Sequence, residues 1–207
     1  MFELFASAFV TLFVVIDPPG CAPIYAGLTV KATAAQRRSM AIRAAVIAFA
    51  ILLVFALFGE ALLGALHIEL DSFRIAGGIM LFAIAIEMVF EKRTERRHER
   101  ADKVLATPEI EDVSVFPMAM PMLAGPGAIA SIMLLMARAE GIEQSATILA
   151  ALLVVMILTL IALLAATPLM RLFGPQFESV VTRLLGVILA ALAAQFVIDG
   201  IKGSFAI

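Results

Sequence analysis

Two clusters of helix-breaking residues interrupt long apolar stretches of this 207-residue chain, and any chemistry it performs is expected to concentrate there. The first is Asp17-Pro18-Pro19-Gly20-Cys21-Ala22-Pro23; the second is Pro117, Pro121 and Gly125-Pro126-Gly127. Each proline removes a backbone donor and presses on the preceding turn, costing about 3 kcal/mol or more in a helix interior, and glycine lowers helix propensity further. Both helices are therefore expected to unwind. Unwound backbone at membrane depth is tolerated only where it is buried in protein or lines a polar cavity. Amides at a half-helix N-terminus can hold an anion, and carbonyls at a C-terminus a cation. Gly and Pro also serve packing and kinks alone in membrane helices. Two interrupted segments in corresponding positions nevertheless point to a transporter site.

Asp17 lies some 15 residues into an apolar run, where an aspartate costs roughly 2.5–3.5 kcal/mol on insertion scales. Two roles offset that cost: capping the half-helix that starts at Pro18-Pro19, or binding a coupling proton or cation. Gln195 is expected either to bond a neighbouring helix or to face a substrate, while Glu87 and Asp199 read as interfacial, with a pathway role open for Glu87. Gly186, Ala190 and Ala194 form a small-residue stripe at spacing four, suited to close helix contact.

The elements that must position these residues follow from composition. Hydrophobic residues make up 63 % of the chain and charged residues 15 %, and the mean hydropathy is +1.07. These values belong to a chain solvated mainly by lipid. Six apolar segments, at about 2–28, 41–60, 72–90, 115–137, 146–167 and 182–200, are each long enough to cross as helices. Whether the first and fourth cross fully or re-enter is open. A charged run from Glu91 to Asp112 divides the chain, and Glu99 and Lys103 have the i,i+4 order that favours a helical extension. The expected organisation is one all-α membrane domain over 1–207, with a first three-helix repeat at 1–90, a charged linker at 91–114 and a second repeat at 115–207. The start of the chain lacks the positive region of a secretory signal despite Ala6-Ser7-Ala8, so the first segment is expected to remain.

Twelve of the 15 Lys and Arg residues fall in alternate connections: Lys31, Arg37, Arg38 and Arg43; Lys92, Arg93, Arg96, Arg97, Arg100 and Lys103; Arg171 and Arg183. Arg74, Arg138 and Lys202 fall on the opposite side. Since cytoplasmic loops carry the excess, six spans with both termini outside are expected. Arg74-Ile75-Ala76-Gly77 and Arg183-Leu184-Leu185-Gly186 are offset by 109 residues, and Pro19-Gly20 and Pro126-Gly127 by 107. Two matches at nearly one offset suggest a duplication, and duplicating three spans inverts the second copy.

Other classes find little support. A formal charge of −2 gives no basic surface for nucleic acid. The single cysteine, Cys21, excludes an intrachain disulfide, and no Cys/His zinc spacing occurs. Gly125 to Ala130 matches the letters of a dinucleotide fingerprint, but no strand precedes it. There is no P-loop, G-x-S-x-G or H-E-x-x-H, and His67 and His98 sit in or beside loops. No enzyme activity, metal or cofactor is expected beyond a coupling Na⁺ or H⁺.

At the two clusters the sequence becomes recognisable. Ile16 to Thr29 (IDPPGCAPIYAGLT) resembles the D-P-x-G-x-x-P-I element of the MarC family of bacterial inner-membrane proteins, and Pro121 to Ala130 (PMLAGPGAIA) is similar to its second element. Phe73 to Met88 and Gln195 to Ile201 resemble its third- and sixth-helix patterns. The resemblance implies an inner-membrane protein of six helices with periplasmic termini, in the neutral amino acid transporter and lysine-exporter-like grouping. It further implies a symporter-like activity on glycine- or alanine-sized substrates. Where many members carry Asn after the first Pro-x-Gly, this chain has Cys21 and then Ala22, and it contains no Asn at all. The expectation is a secondary transporter of small neutral amino acids working by alternating access, with Asp17, Pro18, Pro19, Gly20, Cys21, Pro23, Gly125, Pro126, Gly127 and Gln195 on the pathway. The alternatives are an exporter of another small metabolite or drug, and a non-transporting membrane partner or assembly protein. Lipid is the expected surround, and a homo-oligomer is left open.

Overall fold

The computed structural model describes residues 1–93, 96, 99 and 112–205. The Glu99–Lys103 pair and His98 considered above fall outside those residues in whole or part, as do Arg97 and Arg100. All the regular elements among the described residues are helical.

Helix α1 (Phe2–Ile16) ends at Asp17, whose backbone turns into the left-handed region (φ 57, ψ 64) while its N–H donates to the Phe13 carbonyl at 2.9 Å. Aspartate tolerates that conformation better than most residues. Helix α2 (Pro18–Leu28) starts at once. Unwinding through Pro23 was expected, yet only Asp17 leaves the helix, and Pro23 lies inside α2. The reason is positional: Pro18 and Pro19 occupy the first turn, where the missing N–H groups would have no partner anyway.

Helix α3 (Ala34–Ala65) runs past the expected 41–60 because Thr33 and Gln36 form a reciprocal capping box at its start. Helix α4 (Leu70–Val89) follows. The second interruption is wider than the first. Ser114–Leu123 is loosely wound, with extended backbone at Phe116 and Met120, and it bends by 53° into α5 (Pro126–Met136). Helices α6 (Ile142–Leu164) and α7 (Ala166–Phe205) complete the bundle. Among the described residues, five helical spans are long and apolar enough to cross a membrane, and the bent pair makes a sixth when counted as one. Apolar side chains such as Leu57, Phe58, Ile79, Val187 and Ile161 are exposed on the outside, as a lipid-solvated surface requires.

The closest packing joins α4 to α7. A methyl group at Gly78 would lie 2.9 Å from the Ala193 carbonyl oxygen, and one at Gly186 would lie 3.1 Å from that of Ala85. Spacing four along Gly186, Ala190 and Ala194 was the expected stripe, but Ala194 faces outward. The buried seam is Gly186, Leu189, Ala193, Phe196 and Gly200, alternating steps of three and four. A strict step of four drifts around a 3.6-residue helix, whereas the alternation keeps one line facing the partner.

Elsewhere α1 packs on α6 and α2 on α7, while the 114–123 segment packs on α3 and α5 on α4. Three polar ties gather the basic connections at one end. Arg43 pairs with Asp112 at 2.7 Å, Arg37 donates to the Thr167 hydroxyl at 3.1 Å, and Arg183 pairs with Glu91 at 2.7 Å.

Candidate functional site

A cavity of about 160 Å³ lies between the last turn of α1, just before the first interruption, and the second interruption. Val15, in the last turn of α1, lines one side; Pro121 to Leu123 and Gly125 to Ala128 line another; Ile84 and Glu87 of α4 complete it with Arg93 and Arg96.

The end of α1 has carbonyls that no later turn can satisfy. Arg93 supplies one donor, its Nη2 lying 2.7 Å from the Val15 oxygen, while its Nη1 lies 3.0 Å from the Met88 sulfur. The Cys21 thiol donates to the Ile16 oxygen at 3.5 Å. A cation at a helix C-terminus complements the negative end of the macrodipole. Facing it is the start of α5, where Gly125 is the N-cap and offers no capping side chain. The first-turn amides of α5 thus turn a positive helix end toward the same space. Arg96 pairs with Glu87 at the rim. Among the described residues the cavity therefore holds two guanidiniums, one carboxylate and two helix ends.

Glycine is needed in this wall. A Cβ at Gly125 would sit 2.5 Å from the Pro121 carbonyl oxygen, and one at Gly127 would sit 2.5 Å from the tip of Ile84 and 3.4 Å from Val15. The chain can turn from the loose segment into α5, and α5 can approach α1 and α4, only without those methyl groups.

Gly125, Pro126 and Gly127 line the cavity, as does Glu87. Asp17 is 1 % exposed, and its Oδ1 accepts from the Gly20 amide at 3.1 Å, a capping geometry. Pro18, Gly20, Cys21 and Pro23 are buried and Pro19 is half-buried; none of them lines this cavity. Gln195 and Asp199 lie at the other end of the bundle. Gln195 is exposed on α7 and donates to Asp199 at 2.7 Å, and Asp199 pairs with Arg138, whose guanidinium lies 4.5 Å above the Phe196 ring. No cluster of three or more His, Cys, Asp or Glu suited to a metal occurs among the described residues.

In the sequence Arg93 and Arg96 stand out only as charges of the linker that divides the chain. The available signal was proximity. Both follow α4 within two turns of its end at Val89, close enough for a long side chain to run back along apolar surface and deliver its head group inward.

The MarC family integral membrane protein model matches residues 2–205. The chain is 36 % identical over 202 residues to a UPF0056 membrane protein of Methanocaldococcus jannaschii, covering 98 % of each chain. It is 35 % identical over 205 residues to the UPF0056 membrane protein YvbG of Bacillus subtilis, covering 99 % of this chain and 97 % of the relative. A UPF0056 membrane protein of Archaeoglobus fulgidus is 35 % identical over 201 residues, covering 96 % and 92 %. No solved structure matches.

Proposed function

The chain belongs to the MarC family of integral membrane proteins, and from that premise we propose that it is a secondary transporter of small neutral amino acids. It works by alternating access and draws on an H⁺ or Na⁺ gradient. The observation that carries this reading is the cavity walled by both interrupted spans and charged with both signs. A substrate carboxylate would lie against Arg93, Arg96 and the amide end of α5, and an ammonium against Glu87. The cavity measures about 160 Å³. That scale suits glycine or alanine and disfavours a drug, whose pockets run to about 300–1,000 Å³.

The transporter would be built as two inverted halves, 1–90 and 115–207. The element pairing supports this: exchanging α1, α2, α3 and α4 for the 114–123 segment, α5, α6 and α7 carries each of the larger contacts onto itself or onto another of them. With Lys and Arg concentrated at one end, that end would face the cytoplasm of the inner membrane and both termini the outside. Asp17 would act indirectly, by holding the first break in shape through its bond to Gly20.

The deciding experiment is uptake of labelled glycine and alanine into proteoliposomes with and without imposed Na⁺ and H⁺ gradients. The expected result is saturable uptake that one gradient accelerates. No flux and no binding across a panel of small amino acids overturns the reading. A non-transporting assembly role instead predicts that Gly127→Ala alters stability alone.

A further inference from the structure

We propose that a second groove, at the basic end of the bundle, binds the phosphate group of an anionic phospholipid. The groove encloses about 520 Å³, and its walls include Tyr25, Thr29, Arg37, Arg38, Leu164 and Thr167. Its depth follows from the elements around it. The first span ends at Leu28, α3 begins at Ala34 and α6 ends at Leu164. Hydrocarbon ends where spans end, so this groove lies at the level of lipid headgroups.

Its chemistry is that of an anion receptor. Among the described residues no carboxylate lines it. Arg43 is matched by Asp112, but among the described residues neither Arg37 nor Arg38 enters an ion pair. Arg37 is held by its neighbours: its carbonyl oxygen accepts from the Tyr25 hydroxyl, and its Nη1 donates to Thr167 at 3.1 Å. Its Nε is buried with no hydrogen-bond partner. A buried donor left without an acceptor is costly, and a guanidinium held at the wall of a groove is suited to engage a phosphate through two parallel bonds. Arg38, the adjacent residue, is exposed and adds a second charge. On α6, Ile161 and Leu164 are 54 % and 46 % exposed, an apolar track on which acyl chains can lie. Basic pockets between transmembrane helices are a known geometry for anionic headgroups. This inference does not depend on the transport reading.

The test uses the full chain in neutral, phosphate-free detergent and measures binding by native mass spectrometry and thermal unfolding. The probes are phosphatidylglycerol, phosphatidylcholine and inorganic phosphate. Phosphatidylglycerol is expected to bind at least about tenfold more tightly than phosphatidylcholine, with a melting-temperature rise that inorganic phosphate at equal concentration does not reproduce. Arg38→Gln should weaken phosphatidylglycerol about fivefold and Arg37→Gln at least as much, at about one surface charge each. Arg38 is exposed and has no described bond, so its variant decides the matter even where Arg37→Gln fails to fold. Equal binding of the two lipids, or unchanged affinity in Arg38→Gln, overturns the proposal. An equal shift with inorganic phosphate assigns the groove to a soluble phosphate and overturns the lipid assignment.

Discussion

The guanidinium of Arg93 donates through Nη2 to the carbonyl oxygen of Val15 at 2.7 Å, across 78 positions of sequence. One residue of the charged connection thereby closes the end of a helix that stops inside the bundle. Replacing it removes a charge-assisted bond to a carbonyl that no later turn can reach. Arg93→Gln should lower stability by about 1.5–3 kcal/mol, read by thermal unfolding in detergent. Under the transport reading it should also reduce glycine and alanine uptake more than tenfold. Wild-type uptake in a stably folded Arg93→Gln protein would remove Arg93 from the pathway.

Asp17 and Gly20 give a second test. Asn at position 17 keeps an oxygen that can accept from the Gly20 amide; Ala does not. Asp17→Ala is expected to cost about 0.5–2 kcal/mol and Asp17→Asn only a few tenths. Normal uptake with unaltered ion dependence in Asp17→Asn would exclude proton or cation coupling through this carboxylate.

Gly125→Ala and Gly127→Ala should differ. At Gly125 the new methyl meets a backbone oxygen at 2.5 Å, which cannot move without reshaping the bend. At Gly127 the first obstacle is the flexible end of Ile84. Overpacking typically costs about 1–3 kcal/mol, so Gly125→Ala should sit at the upper end and Gly127→Ala at the lower. The order of their melting temperatures checks this.

Glu91 makes one contact pH-sensitive. Hydrogen bonds from the Ser179 hydroxyl and Arg183 hold its carboxyl below the usual carboxylate range. A depressed folded-state pKa stabilises the fold above the unfolded value of about 4.3 and ceases to do so as pH falls through the folded value. Glu91→Gln should therefore melt below the wild type at pH 7, and the two curves should converge as pH falls through the folded value. A constant gap across that range would show that titration of Glu91 contributes nothing.

The membrane class, the spans and the positions of both breaks are legible in the sequence because lipid demands long apolar runs and proline disrupts them wherever it stands. The extent of each break is not. Pro18-Pro19 ends the disturbance at one residue because a helix accepts proline in its first turn, whereas Pro117 and Pro121 fall four apart and disrupt a full ten-residue stretch. The charged lining was also hidden. Arg93 and Arg96 look like ordinary loop residues, and only the folded chain brings the Val15 carbonyl within reach of one and Glu87 within reach of the other. Gln195 misleads in the opposite sense: a lone amide in an apolar segment suggests an interior role, yet Asp199 one turn on provides its partner at the surface.

The glycines of α4 and α7 bring two backbones together so closely that a single added carbon would strike a carbonyl of the opposite helix. One of these helices lies in the first part of the chain and the other at its end, and together they form a keel. Under the transport reading, two halves would roll about that line, whereas a longitudinal slip would drive side chains into main chain, so alternating access would have a rotation axis and no track for translation.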